Sequence, residues 1–203
     1  MAHHLSMVAI CHRIVRAVIS EGDIVIDATL GNGHDTLFLA ECVGTTGHVY
    51  GFDIQPAALT VTQARLAARN IATRATLFQA DHAHMAEYLP HTAYQRIRAI
   101  MFNLGYLPGS DKRVITRSTS TLTALQTASE WLAPGGIVTI VAYPGHAGGD
   151  EETQTVSDWF ATQNTAAWVG QTLQPAHTRS RTPRLFWVMR RDTTSSSETV
   201  PGS

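Results

Sequence analysis

The chain has 203 residues, a formal net charge of −1 and 44% hydrophobic residues. That length suits one domain with a substantial core, and the near-neutral charge excludes a globally basic nucleic-acid coat while leaving room for a local basic patch. No apolar run nears the roughly 18 residues of a membrane span, and the N-terminus lacks the apolar region and small-residue cleavage site of a signal peptide.

A cytoplasmic protein without membrane contact is therefore expected. The two cysteines, Cys11 and Cys42, lie in apolar helix-like stretches without CxxC spacing. They read as thiols in a reducing compartment, and no metal is expected. Residues 1–192 are expected to form one domain. Residues 193–203, rich in Thr and Ser without period, read as a loose tail.

In chain order, residues 5–19 place Leu5, Val8, Ile14, Val15 and Val18 near helical spacing, and Gly22 breaks the run. Ile24-Val25-Ile26 is continuous and β-branched, as a strand buried on both faces should be. Thr29 to Gly33 is a turn, and Thr36 to Cys42 a helix. Gly47 to Phe52 is a second strand, followed by a helix from Pro56 to Asn70 with proline in its first turn. Thr76 to Phe78 is a third strand, ending at Asp81-His82, and Ile97 to Phe102 a fourth. After a long turn over residues 103–112, a helix from Thr116 to Leu132 is stopped by Pro134-Gly135-Gly136. Ile137 to Ala142 is a fifth strand and Asp150 to Gln163 a helix. Trp168 to Leu173 and Leu185 to Met189 close the chain as an antiparallel pair. This alternation predicts an α/β fold: a doubly wound, mostly parallel seven-stranded sheet ending in a hairpin, the Rossmann-like class I methyltransferase arrangement.

The chemistry is expected at the strand ends. The first strand runs into Asp27, then Gly31-Asn32-Gly33, then a helix. Glycines admit close backbone approach, and a helix N-terminus favours a negative group. Asp53 ends the second strand, where a carboxylate can accept hydrogen bonds from two ribose hydroxyls. Both NAD and S-adenosylmethionine suit that much. The dinucleotide fingerprint asks for a third small residue, and position 36 is Thr. Asp27 ahead of the turn would help the ammonium of S-adenosylmethionine and repel a diphosphate. Asp81-His82 is placed to meet an adenine amino group. A doubly wound protein for another nucleotide stays open on pattern alone.

The fourth strand ends in Asn103-Leu104-Gly105-Tyr106-Leu107-Pro108. Asn103 resembles the first residue of the Asn-Pro-Pro-Tyr motif of amino-methyltransferases, with Leu104 and Gly105 where the prolines would stand. An amide oxygen there aligns a neutral amine for attack, a proximity effect. His34, His82 and His146 are candidate bases. The glycine-rich run from Tyr143 to Gly149 is expected to face the same cleft. Residues 175–184, with Arg179 and Arg181, could touch phosphates together with Arg190 and Arg191.

The runs Asp27 to Thr29, Gly31 to Ala40, Gly47 to Gln55 and Phe102 to Pro108, with Asp111-Lys112, resemble a family of small bacterial methyltransferases that carry the rRNA methylase label, Leu30 standing where relatives often carry Met or Cys. The resemblance runs in order from about residue 8 to 190. It implies a methyltransferase acting on the aminomethyl group of 5-aminomethyl-2-thiouridine at the tRNA wobble position, with an anticodon stem-loop as partner. The Ser-rich tail has no counterpart in that family.

The residues expected at the cofactor, S-adenosyl-L-methionine, are Asp27, Thr29, Gly31, Asn32, Gly33, His34, Asp35, Thr36, Asp53, Ile54, Gln55, Asp81, His82, Asn103 and Leu104. Asn103, Tyr106 and His146 are expected in the reaction, and Tyr106, Tyr143, His146, Arg179 and Arg181 at the substrate. A methyltransferase for rRNA, or for a small-molecule or protein amine, and a non-catalytic cofactor-binding module are the competing readings. A homodimer stays open.

Overall fold

The computed structural model describes residues 6–105, 118–145, 147–163, 165–174 and 182–192. Seven strands form one sheet in the order β3-β2-β1-β4-β5-β7-β6. They are β1 (Ile24–Asp27), β2 (His48–Asp53), β3 (Ala75–Gln79), β4 (Ile97–Leu104), β5 (Leu132–Ala142), β6 (Trp168–Leu173) and β7 (Arg184–Arg190). β1 to β5 are parallel, and β7 runs antiparallel to both β5 and β6. The expected sheet and its closing hairpin are both present.

The helices are α1 (Met7–Arg16), α2 (His34–Cys42), α3 (Pro56–Ala67), α4 (Met85–Tyr88), α5 (Ser118–Trp131) and α6 (Gly149–Ala161). Side chains alternate across each strand, so the sheet carries a core on both faces. Ile26, Phe52, Ile100, Phe102 and Ile140 pack with Leu125 and Trp131 of α5 and Val156 of α6. On the other face, Val25, Val49, Met101 and Val141 pack with Cys11 and Val15 of α1, Phe38 of α2 and Leu66 of α3. Phe52 and Phe102 are shut from solvent, and burial of each such side chain stabilises the fold by about 2–3 kcal/mol.

Element boundaries depart from expectation where non-local pairing or a local cap intervenes. α3 stops at Ala67, not Asn70: Asn70 turns to φ 57° and Ile71 N–H donates back to the Leu66 carbonyl at 3.1 Å, a left-handed helix stop. β5 begins at Leu132 because that residue pairs with Ile97, and the ladder then slips over Pro134 to Gly136 before Ile137 rejoins. The Pro-Gly-Gly run is thus an irregularity inside the strand, with Gly135 at φ 71°. Between β3 and β4 the chain forms short 3₁₀ turns at His82–His84 and His91–Ala93 flanking α4, where no element was predicted. Among the described residues no helix is long and apolar enough to cross a membrane.

Candidate active site

The chain winds from β1 outward to β2 and β3, then returns to lay β4 on the other side of β1. The crevice beyond the carboxyl ends of β1 and β4 is therefore the switch point of the sheet, the place where ligands bind in such folds. Asp27 ends β1, Asp53 ends β2, and Asn103 and Leu104 end β4.

The β1–α2 turn is built by backbone geometry. Leu30 N–H donates to the Phe52 carbonyl at 3.0 Å and Ala28 N–H to the Met101 carbonyl at 2.9 Å, pinning the turn to both neighbouring strands. Gly33 caps α2 at φ 72°. A Cβ there would come within 2.8 Å of the Thr62 backbone in α3, so only glycine fits. Arg65 of α3 holds the outer rim, donating from Nε to the Asn32 carbonyl at 2.8 Å. His34 is exposed and meets the same guanidinium at 3.4 Å.

Asp27 lies beneath this turn, fully buried. Its oxygens accept from Thr29 N–H at 3.1 Å and from the Thr36 hydroxyl at 2.5 Å. Burial, and then the nearby charge of Asp35, push its carboxyl up to about 7. A ligand ammonium would have to meet Asp27 at the lone pairs those two bonds leave.

Asp53 stands at the open side. One oxygen accepts from Gly31 N–H at 3.0 Å and the other from Gln55 N–H at 2.9 Å. Each oxygen keeps a second acceptor site. Ile54 beside it is 47% exposed, an apolar surface next to a carboxylate. Asp81 is part-exposed and caps the turn after β3, taking Ala83 N–H at 2.9 Å. A diol-accepting carboxylate, a bare apolar side chain and a second carboxylate in a row match the chemistry of a ribose and an adenine. These residues fit an adenosine cofactor.

His82 turns inward. Its Nδ1 donates to the Ala28 carbonyl at 3.2 Å, its ring meets Phe102 edge-on, and it is 6% exposed. Nε2 is buried without a hydrogen-bond partner. Burial pushes its pKa down, so the ring is held neutral. Its side chain is part of the wall behind Ala28.

The second cluster centres on Asn103. Its backbone N–H donates to the Thr29 hydroxyl at 2.7 Å, tying β4 to the turn. Its Nδ2 donates to Asp35 Oδ2, and Tyr143 O–H reaches its Oδ1 at 3.5 Å. Asp35 is 6% exposed in the first turn of α2, and its Oδ1 meets His12 Nε2 at 2.5 Å. The His12 ring lies flat on Phe38, centroids 4.0 Å apart and planes within 4°. Burial raises the Tyr143 pKa, with smaller contributions from Asp35 and Cys11, so its hydroxyl remains protonated.

The structure thus brings Asp27, Thr29, Thr36, Asp35, Asn103 and Tyr143 into one network. Asp53, Ile54, Gln55 and Asp81 form the adjoining wall. Tyr106, His146, Arg179 and Arg181 lie outside the described residues. His12 was not anticipated. Its helix reads only as an apolar period, and nothing local marks a histidine that meets an acid two elements later. Among the described residues no group of His, Cys, Asp and Glu could hold a metal ion.

Residues 49–189 match the family model described as "Putative rRNA methylase". A tRNA (mnm(5)s(2)U34)-methyltransferase, chloroplastic, from Arabidopsis thaliana is 38% identical over 192 residues, covering 90% of this chain and 69% of that protein. A structure described as a putative rRNA methylase from Clostridium thermocellum superposes with a TM-score of 0.87 at 36% identity, covering 92% of this chain and 98% of that one. A structure described as a putative methyltransferase from Streptococcus mutans in complex with SAH superposes with a TM-score of 0.82 at 32% identity, covering 92% of this chain and 99% of that one.

Proposed function

The chain belongs to the putative rRNA methylase family of S-adenosylmethionine-dependent methyltransferases, and we propose that it methylates the aminomethyl nitrogen of 5-aminomethyl-2-thiouridine at the wobble position of a tRNA. The observation that carries this reading is Asn103: an amide at the end of β4, joined through its backbone to Thr29 of the glycine turn, at the switch point of the sheet. The relative acting on wobble uridine, 38% identical over 90% of this chain, supports the amine as acceptor.

S-adenosylmethionine supplies a methyl group made electrophilic by a positive sulfur. The chain supplies the rest. Asp53 would hold the ribose hydroxyls, Ile54 and Asp81 would flank the adenine, and the turn from Thr29 to Thr36 would carry the amino-acid end. Asn103 takes an N–H of the substrate amine on its amide oxygen, so the nitrogen lone pair is aimed at the methyl group. Such alignment converts an encounter into a near-attack geometry. Leu104 closes the floor, and Tyr143 stands across from the amide.

We assign Tyr106, His146, Arg179 and Arg181 to the substrate side: an aromatic ring for a splayed base, an imidazole for the departing proton, and cations for phosphates. Residues 1–192 would act as one catalytic unit, working in the cytoplasm on an anticodon stem-loop.

The test is nucleoside mass spectrometry of tRNA carrying unmethylated 5-aminomethyl-2-thiouridine, incubated with the protein and isotope-labelled cofactor. A labelled methyl on the wobble nucleoside is expected. A label that appears instead in rRNA, or only in free amines, would reject the wobble assignment.

A further inference from the structure

An asparagine amide has two ends of similar shape and opposite chemistry. Whether Asn103 offers an oxygen or an NH₂ to the cleft decides whether it can accept from an amine. The surroundings settle the question. Asp35 is a carboxylate, which only accepts hydrogen bonds, and it lies against one end of the Asn103 amide. That end must be Nδ2, which leaves Oδ1 on the other side, where the Tyr143 hydroxyl faces it at 3.5 Å. A flipped amide would set an oxygen against a carboxylate oxygen and the NH₂ toward a hydroxyl.

Asp35 is itself held. Its Oδ1 takes His12 Nε2 at 2.5 Å, leaving Oδ2 for Asn103. The His12 ring is clamped on Phe38 at 4.0 Å, and Arg16 of the same helix sits over that phenyl ring at 5.1 Å. Three elements, α1, α2 and β4, thus fix one amide.

We propose that Asp35, braced by His12, is a positioning residue that sets the direction of the Asn103 amide so that its oxygen faces the substrate amine. The proposal rests on the reading of Asn103 as the amine acceptor. It departs from the expectation that Asp35 serves the cofactor, and it brings in His12, which no motif marks.

Direction and affinity separate in kinetics. Asp35→Ala should lower kcat about 30- to 100-fold, the scale on which a misplaced group costs rate, with KM for cofactor and tRNA within about three-fold. Asp35→Asn should retain much of the rate: its oxygen can still accept from Asn103 Nδ2 while its NH₂ donates to His12 in the other tautomer. Asn103→Asp alone should be severely slowed by two facing carboxylates. Adding Asp35→Asn to it should recover rate, because the exchanged pair restores one donor and leaves a carboxylate oxygen toward the amine.

Wild-type kcat in Asp35→Ala, equal losses in Asp35→Ala and Asp35→Asn, or a raised cofactor KM at unchanged kcat would each overturn the proposal. A second arm needs no turnover and no variant at position 35. The Asn103 side-chain amide signal in a ¹⁵N spectrum of the wild-type protein, assigned by its loss in Asn103→Ala, should carry one strongly downfield proton from the charged acceptor. Two ordinary amide protons would overturn the geometry. A wild-type protein that leaves the aminomethyl tRNA unmethylated rejects the substrate, and the amide signal still decides the direction.

Discussion

Thr36 donates its hydroxyl to Asp27 Oδ2 across 2.5 Å, and neither side chain reaches solvent. The dinucleotide fingerprint puts a small residue at this position so that helix and strand can close. Here a hydroxyl fills the space and takes the strand-end acid as its partner. Glycine or alanine at 36 would leave that oxygen without its donor, so the departure from the fingerprint and the acid ahead of the turn belong together.

Asp27 carries a pH signature. Its pKa stands at about 7 in the folded protein against an ordinary 3.8. A raised pKa means that the folded state keeps a proton the unfolded chain gives up. The contribution is fully present below about pH 4 and is lost as pH rises to about 7, with a slope of up to ~1.4 kcal/mol per pH unit. Asp27→Asn is neutral throughout and can still accept from Thr29 N–H while its NH₂ donates to Thr36. Its stability, measured by urea unfolding, should gain on wild type steadily between pH 4 and pH 7 and then run parallel. His82 is present in both proteins, so its contribution largely cancels in the difference. Parallel curves from pH 4 upward would refute the raised pKa.

Gly33→Ala should destabilise the protein by about 1–3 kcal/mol, combining a left-handed backbone with a collision at Thr62. Cofactor binding should weaken further, since relief of the clash moves the turn away from α3. Thermal melting with and without cofactor reads both effects. An unchanged melting temperature would mean that α3 can give way.

Asp53→Ala should weaken the cofactor by about 10- to 100-fold, the equivalent of one or two charged hydrogen bonds. It also removes the acceptor that holds Gly31 N–H and Gln55 N–H. Calorimetry with the demethylated cofactor measures this apart from rate. Wild-type affinity would displace the ribose from the end of β2.

Asn103→Ala should bind cofactor as wild type does and lose kcat by about 10²- to 10³-fold, since its side chain serves the transition state more than the bound ground state. Its backbone bond to Thr29 survives the substitution. Single-turnover kinetics separate chemistry from release. An equal loss of cofactor affinity would place the side chain at the cofactor instead.

Much of this arrangement was legible because its signals are local. A β-branched run, an acid at its end and two glycines before a helix place Asp27 and Gly33 without knowledge of the rest of the chain. The parallel sheet and its closing hairpin followed from strand–helix alternation and the missing helix before β7. What could not be read depends on distant neighbours. Leu132 is a strand residue because Ile97 lies beside it, although its own sequence continues a helix. Asp35 reads from sequence as a cofactor residue, and its bond to Asn103 exists only once β4 lies against β1. His12 meets Asp35 only after α1 docks on α2, and no spacing within α1 encodes that.

α1 leaves the ribosome before any strand of the sheet, yet Cys11 and Val15 of that helix belong to the same buried cluster as Ile137 and Val141 of β5. Its apolar face is therefore not fully seated until most of the chain has been made. Asp53 and its bond to Gly31 N–H need only β1 and β2, whereas the turn's bond to Met101 and the His12–Asp35–Asn103 chain wait for β4. A nascent chain could shape the nucleotide wall early, but the group that aims the amine is assembled late, when long-range contacts close. Competence for chemistry then follows completion of the fold, and an unfinished chain cannot orient the atom it is meant to modify.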